Sequence, residues 1–158
     1  MILAYRLLRL VETHSDALAA GLLEKTSASP LLPEYNHVPT EELRERVHEI
    51  YHHLAEWLLG KGEVDIEERY LAIGAKRAQQ DVPLSQLIWA IILTKKNLWD
   101  FLKAEAVLDR PVEIAGELEV EELVDQFFDR AIYYAAVGYE RFIESARSQR
   151  APRLTSVG

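Results

Sequence analysis

Cysteine is absent from all 158 positions, methionine occurs once, and glycine only seven times. The missing cysteine removes disulfides, thiolate metal sites and cysteine nucleophiles together, and leaves the redox compartment open. Basic residues are outnumbered, 18 against 26 acidic, for a net charge of −8. A phosphate-tracking surface needs clustered Lys and Arg, so no nucleic-acid partner is expected. Only Arg147, Arg150 and Arg153 gather, at the end of the chain. No apolar run approaches the roughly 20 residues of a membrane span. The N-terminus interrupts its apolar residues with Arg6 and Arg9, which is unlike a secretory signal, so the expected location is the cytoplasm.

What remains is ordinary globular material, 49% hydrophobic and 28% charged, of a size suited to one hydrophobic core. Every strong period is helical and none is that of a strand. A first segment from about Ile2 to Lys25 has a possible break at His14, where Ser15 or Asp16 would cap a new helix. Residues 26–39 hold three prolines and form a loop. Thr40, followed by Glu41 and Glu42, opens a helix to about Leu59, which Gly60 and Gly62 stop. Asp65 and Glu68 have capping-box spacing, opening a helix to about Gln80. Pro83 suits the first turn of a helix to about Ala106. A loop with Pro111 and Gly116 follows, then a helix from Glu119 to Arg147. The expected fold is all-α, five to six helices without a sheet, either globin-like or an up-down bundle. Residues 1–147 make one domain and residues 148–158 a flexible tail or linker.

Three local patterns could carry chemistry. His48-Glu49-Ile50-Tyr51-His52 is a literal H-E-x-x-H, the pattern in which two histidines bind zinc and the glutamate activates water. At 100° per residue, however, Leu43, Val47, Ile50, Leu54 and Trp57 lie within about 40° of one direction, and His48 and His52 point about 140° and 180° away. That is a solvated face, not a cleft. A zinc hydrolase using His48, Glu49 and His52, with Glu67 or Glu68 as third ligand, is therefore the alternative reading and no metal site is the preferred one. Glu45-x-x-His48 also has the spacing of a di-iron bundle, but its only counterpart outside the helix, Glu34-x-x-His37, lies in the proline loop.

Lys95 falls among Ile88, Ile91, Ile92, Trp99 and Leu102, where an unpaired charge is costly. It is read as a stem whose ammonium meets a carboxylate, with an anchor for an anionic core ligand as the alternative. The last helix holds six of the fourteen aromatics, around a stripe of Ala131, Ala135 and Gly138. Its apolar band is wider than one core face requires. Phe127, Ala131, Tyr134, Ala135, Gly138 and Phe142 are accordingly the candidate homodimer interface.

Two stretches, residues 54–59 (Leu-Ala-Glu-Trp-Leu-Leu) and residues 74–87 (Gly-Ala-Lys-Arg-Ala-Gln-Gln-Asp-Val-Pro-Leu-Ser-Gln-Leu), resemble the RsbRD-type N-terminal domains of bacterial regulators. Residues 127–131 (Phe-Phe-Asp-Arg-Ala) resemble the last helix of the same family. Such domains precede output modules in stressosome co-antagonists of the RsbR type and in some histidine kinases. The segment Ile73-Gly74-x-x-Arg77, with Asp81-Val82-Pro83 after it, is more distantly similar to the proximal segment of globin-coupled sensors. The haem-ligating histidine of that family falls on Arg77, whose guanidinium stays protonated and offers iron no lone pair. The resemblance thus implies a haem-free signalling domain with no cofactor and no enzymatic activity. It would dimerise through its last two long helices and act on a fused output domain or a signalling partner.

Overall fold

A computed structural model of the chain describes residues 2–58, 60, 63–104 and 111–155, with side chains described for 5–58, 60, 65–104 and 121–150. Among the described residues there is no strand. The described residues form six α-helices in succession: α1 (Ile2–Thr13), α2 (Ser15–Ala28), α3 (Thr40–Leu58), α4 (Glu63–Gln79), α5 (Leu84–Ala104) and α6 (Pro111–Thr155). A 3-10 turn, Tyr35–His37, interrupts the proline loop between α2 and α3.

The helix boundaries follow local chemistry. The N-cap of α2 is His14, without a side-chain cap, so neither Ser15 nor Asp16 performs the capping expected of it. Gly60 adopts φ +83° and its N–H bonds to the Trp57 carbonyl, ending α3 in a conformation that costs glycine little. Because α4 begins at Glu63, Asp65 already lies inside it, and the Asp65–Glu68 spacing does not open the helix. The Pro83 carbonyl accepts from the N–H groups of Gln86 and Leu87, so the proline stands immediately ahead of α5. The largest departure is the C-terminal segment. Pro111 and Gly116 lie within α6, not in a loop, and helix continues through residues 148–155, expected as a tail. Proline is tolerated at the first helical position, where its missing N–H would have no partner, and a helical glycine costs only about 1 kcal/mol.

A main core joins the helices, and Val38, Leu43 and Val82 form a smaller cluster beside it. α6 packs most extensively on α4 and also touches α5, α3 and α1, while α2 lies against α3 and α5. Its centre is built from Leu18, Leu32, Leu54, Leu98, Val124, Phe127 and Phe128, all 1% exposed or less. On α3 the buried face is Leu43, Val47, Tyr51, Leu54, Ala55 and Leu58, whereas Ile50 and Trp57 are half-buried. On α5 it is Leu87, Ala90, Ile91, Thr94, Leu98 and Leu102. That face is rotated from the expected stripe: Ile88 and Trp99 are half-buried and Ile92 is exposed.

Two glycines allow α4 and α6 to touch backbone to backbone. A Cβ on Gly74 would stand 1.9 Å from the Ala135 carbonyl oxygen, and one on Gly138 would stand 2.1 Å from that of Leu71. The small stripe of α6 is therefore filled by α4 of the same chain. Phe127, Ala131 and Ala135 are 0% exposed and Gly138 is buried within the single chain. Tyr134 and Phe142 stay half-buried at the edge of that packing.

Candidate functional site

Among the described residues, two interior polar clusters join helices to one another. The first is the position that the globin similarity assigns to haem ligation. Arg77, near the end of α4, is 2% exposed. Its Nη1 donates to Glu42 Oε1 at 2.8 Å and to Gln80 Oε1 at 2.7 Å. Gln80 Nε2 in turn donates to the Glu42 carboxylate at 3.1 Å, and Lys76 Nζ lies 3.0 Å from the same carboxylate. The guanidinium also rests 5.9 Å from the Tyr35 ring centroid. Burial pushes the Glu42 carboxyl upward, but hydrogen bonds from Arg77, Lys76 and Gln80 outweigh it and lower it to about 2. Arg77 thus fastens the end of α4 to the start of α3. The residues do not fit a haem: a permanently charged guanidinium committed to a carboxylate has nothing to give iron.

The second cluster joins α2, α3 and α5. Asn97 is 3% exposed, and its Oδ1 accepts from Lys25 Nζ at 2.8 Å. Its Nδ2 donates to the Leu18 carbonyl at 2.9 Å and to the Tyr51 hydroxyl at 3.0 Å. The Tyr51 hydroxyl in turn donates to the Thr94 carbonyl at 3.0 Å. A Cβ on Gly21 would come within 2.9 Å of Asn97 Oδ1, so that small residue makes room for the amide. Burial holds the Tyr51 phenol well above its ordinary range, hence neutral. Neither Asn97 nor Tyr51 drew attention in the sequence. The signal was a polar residue in phase with Ala90, Thr94 and Leu98 on the buried side of α5.

Gln86 fixes the proline loop: its Oε1 accepts from the N–H groups of Glu34 and Tyr35, each at 3.0 Å, and its Nε2 donates to the Glu34 carboxylate. Glu34 and His37, the second E-x-x-H, are both exposed in this loop.

The other candidates lie outside the core. Lys95 Nζ meets Asp125 Oδ1 at 2.9 Å, both half-exposed, which is the expected carboxylate partner and places the ammonium at the rim. His48 is half-exposed and 3.6 Å from Asp16 Oδ1, while the exposed His52 lies 3.2 Å from Glu56 Oε1. Both imidazoles point outward, as the helical wheel requires. Glu67 and Glu68 are exposed on α4. Among the described residues no three His, Asp or Glu side chains are placed to hold a metal ion. His53 turns inward instead, 6% exposed, and burial lowers its basicity, with the Arg69 charge adding to the effect.

The polar contacts of the described interior tie helices to one another. The family model of the RsbT co-antagonist protein RsbRD N-terminal domain matches residues 16–154. The chain belongs to that family. The match runs from α2 to the end of α6, and α1 lies ahead of it. RsbRD N-terminal domains are stressosome-type signalling domains, and their partners are signalling proteins. No curated protein and no solved structure matches the chain. No described helix is long and apolar enough to cross a membrane.

Proposed function

We propose that this domain is a non-catalytic, cytoplasmic sensory and dimerisation module with a haem-free, globin-like arrangement, and that it passes a signal through α6 to a fused output domain or a signalling partner. The observation that carries the reading is the continuity of α6. Its 45 residues span roughly 67 Å at 1.5 Å per residue. Its middle third is the spine on which α4 packs, and two further bonds anchor it to the body. Trp57 Nε1 donates to the Leu123 carbonyl at 2.9 Å, and the Tyr139 hydroxyl donates to the Val82 carbonyl at 2.7 Å. Beyond Tyr139 most positions through Arg150 are exposed, with Phe142, Ile143 and Ala146 half-buried along one side. A stimulus that repacks α4 on α6 would move this projecting segment as one rigid rod.

The dimer contact of this proposal uses the surface that intrachain packing leaves open. Tyr133 is 63% exposed and stacks edge-on against Tyr134, Ile92 is 37% exposed on α5, and Phe142 follows two turns after Tyr134. Sedimentation velocity at micromolar concentration tests the state, and the absence of native cysteine makes single-cysteine cross-linking clean. A dimer whose Phe142→Cys variant oxidises to a covalent pair, while Glu24→Cys does not, supports the proposal. Monomer alone removes the dimer from it.

A further inference from the structure

α1 is joined to the rest of the chain through a single residue. His14 holds φ −113° and ψ 24°, with helix on either side of it. Its N–H bonds to the Leu10 carbonyl and its own carbonyl accepts from the Leu18 N–H, both at 2.9 Å, which is already the i to i−4 pattern of a helix. Turning His14 alone to helical angles, near −63° and −42°, would merge α1 and α2 into one straight rod over residues 2–28. α1 would then swing away from α3 and α6, on which it packs. Its hold there is narrow: Leu7 and Val11 are buried and Leu10 is half-buried, while Arg6, Arg9 and Glu12 are exposed. Its charges give no help to the helix dipole, with no acid in the first turn and no base in the last. A helix of 12 residues is marginal by itself in water, so α1 keeps its form through packing or as part of a longer helix.

We propose that two copies of this chain exchange α1 by straightening at His14, each α1 filling the groove on α3 and α6 that the other copy's α1 has left. The occupant is fixed by identity. The groove already holds this helix, so the exchanged contacts of Leu7 and Val11 are those made within one chain. The balance between closed monomer and exchanged pair then reduces to the hinge and the entropy of association, and a connection this short invites exchange. A straight hinge completes the helix that the bent one interrupts and so favours the pair. The ring contact of His14 with Phe101 of α5, 5.3 Å between centroids, favours the bend. The exchanged element lies ahead of residue 16, where the family match begins. Because α1 packs on α6 as well as α3, exchange ties each copy's N-terminal helix to the other's α6, independently of the surface around Tyr133.

The test exploits the lack of native cysteine. Glu12 of α1 and His48 of α3 line one cleft, so Glu12→Cys/His48→Cys can be joined by a short bis-maleimide. The full chain is concentrated toward millimolar, monomer and dimer are separated by gel filtration, and each fraction is diluted and cross-linked. The monomer should give links within one chain, and the dimer covalent pairs of chains on a denaturing gel. His14→Ala and His14→Gly both remove the Phe101 contact but differ about fivefold in favouring helix at the hinge. Two hinges straighten per pair, so the dimerisation constant should be roughly 25-fold higher for His14→Ala. A dimer whose link stays within each chain is paired by another surface and overturns the exchange, leaving the α6 contact to be read separately by Phe142→Cys oxidation. Equal dimerisation of the alanine and glycine variants would refute straightening at His14. A chain that stays monomeric near millimolar concentration, His14→Ala included, refutes the proposal altogether.

Discussion

Replacing Glu42 by Gln deletes one charge while keeping the side chain's shape, and leaves Arg77 2% exposed with neutral acceptors only. Breaking a buried ion pair from one side costs about 3–5 kcal/mol. Gln still offers Nη1 an oxygen and Lys76 keeps access to water, so the lower end, about 3 kcal/mol, is expected at pH 7. Titration leads to the same size by another route. The Glu42 carboxyl drops from its ordinary 4.5 to about 2, which at 1.36 kcal/mol per decade is about 3 kcal/mol. Because the folded group is the stronger acid, that stability is complete above the unfolded value. It is lost as pH falls from about 4.5 toward 2. Urea unfolding of the native chain and Glu42→Gln should therefore differ by about 3 kcal/mol at pH 7 and only about 1 kcal/mol near pH 3. A gap under about 1 kcal/mol at pH 7, or one that stays constant with pH, would refute the account of Arg77 as a buried cation held by Glu42.

Gly138→Ala should lower stability by about 3 kcal/mol or more, since the new Cβ meets the Leu71 carbonyl at 2.1 Å and the two backbones must part. On helix propensity alone the same change would add about 1 kcal/mol, so the sign seen in a thermal melt decides whether α4 and α6 touch. Asn97→Ala strips Lys25 and Tyr51 of a shared buried partner and should cost about 2–3 kcal/mol in urea unfolding. Tyr51→Phe, which leaves Asn97 bonded to Lys25 and Leu18, should cost less. His53 is less basic folded than unfolded, so stability should fall as pH drops below 6.5 toward the folded value. His53→Gln should flatten that slope between pH 7 and 5, and an unchanged slope would assign it to another group.

Much of the architecture is written locally. The helical periods, the outward His48 and His52 of α3 and the glycine stop at Gly60 all depend on neighbours within a turn or two, or on burial patterns a wheel can display. The residues that organise the interior were harder to read. His53 and Tyr51 differ from Ile50 and Trp57 by less than one helical turn, and the wheel cannot say which of two adjacent directions the core occupies. Asn97 becomes an organising residue only when Lys25, Tyr51 and the Leu18 carbonyl converge on it from two other helices.

By itself the sequence determined an all-helical chain, because propensity, capping and period act over a few residues, and its short motifs carried the family. Only the tertiary structure decided where the stripe of Ala131, Ala135 and Gly138 goes. A small-residue stripe announces close approach but not by whom, and Gly74, 64 positions earlier, answers it from α4. Arg77 follows the same logic: its charge excludes iron ligation from sequence alone, but only folding brings Glu42 to it. Partners so far apart in the chain are chosen by the core as a whole, and no local pattern encodes that choice.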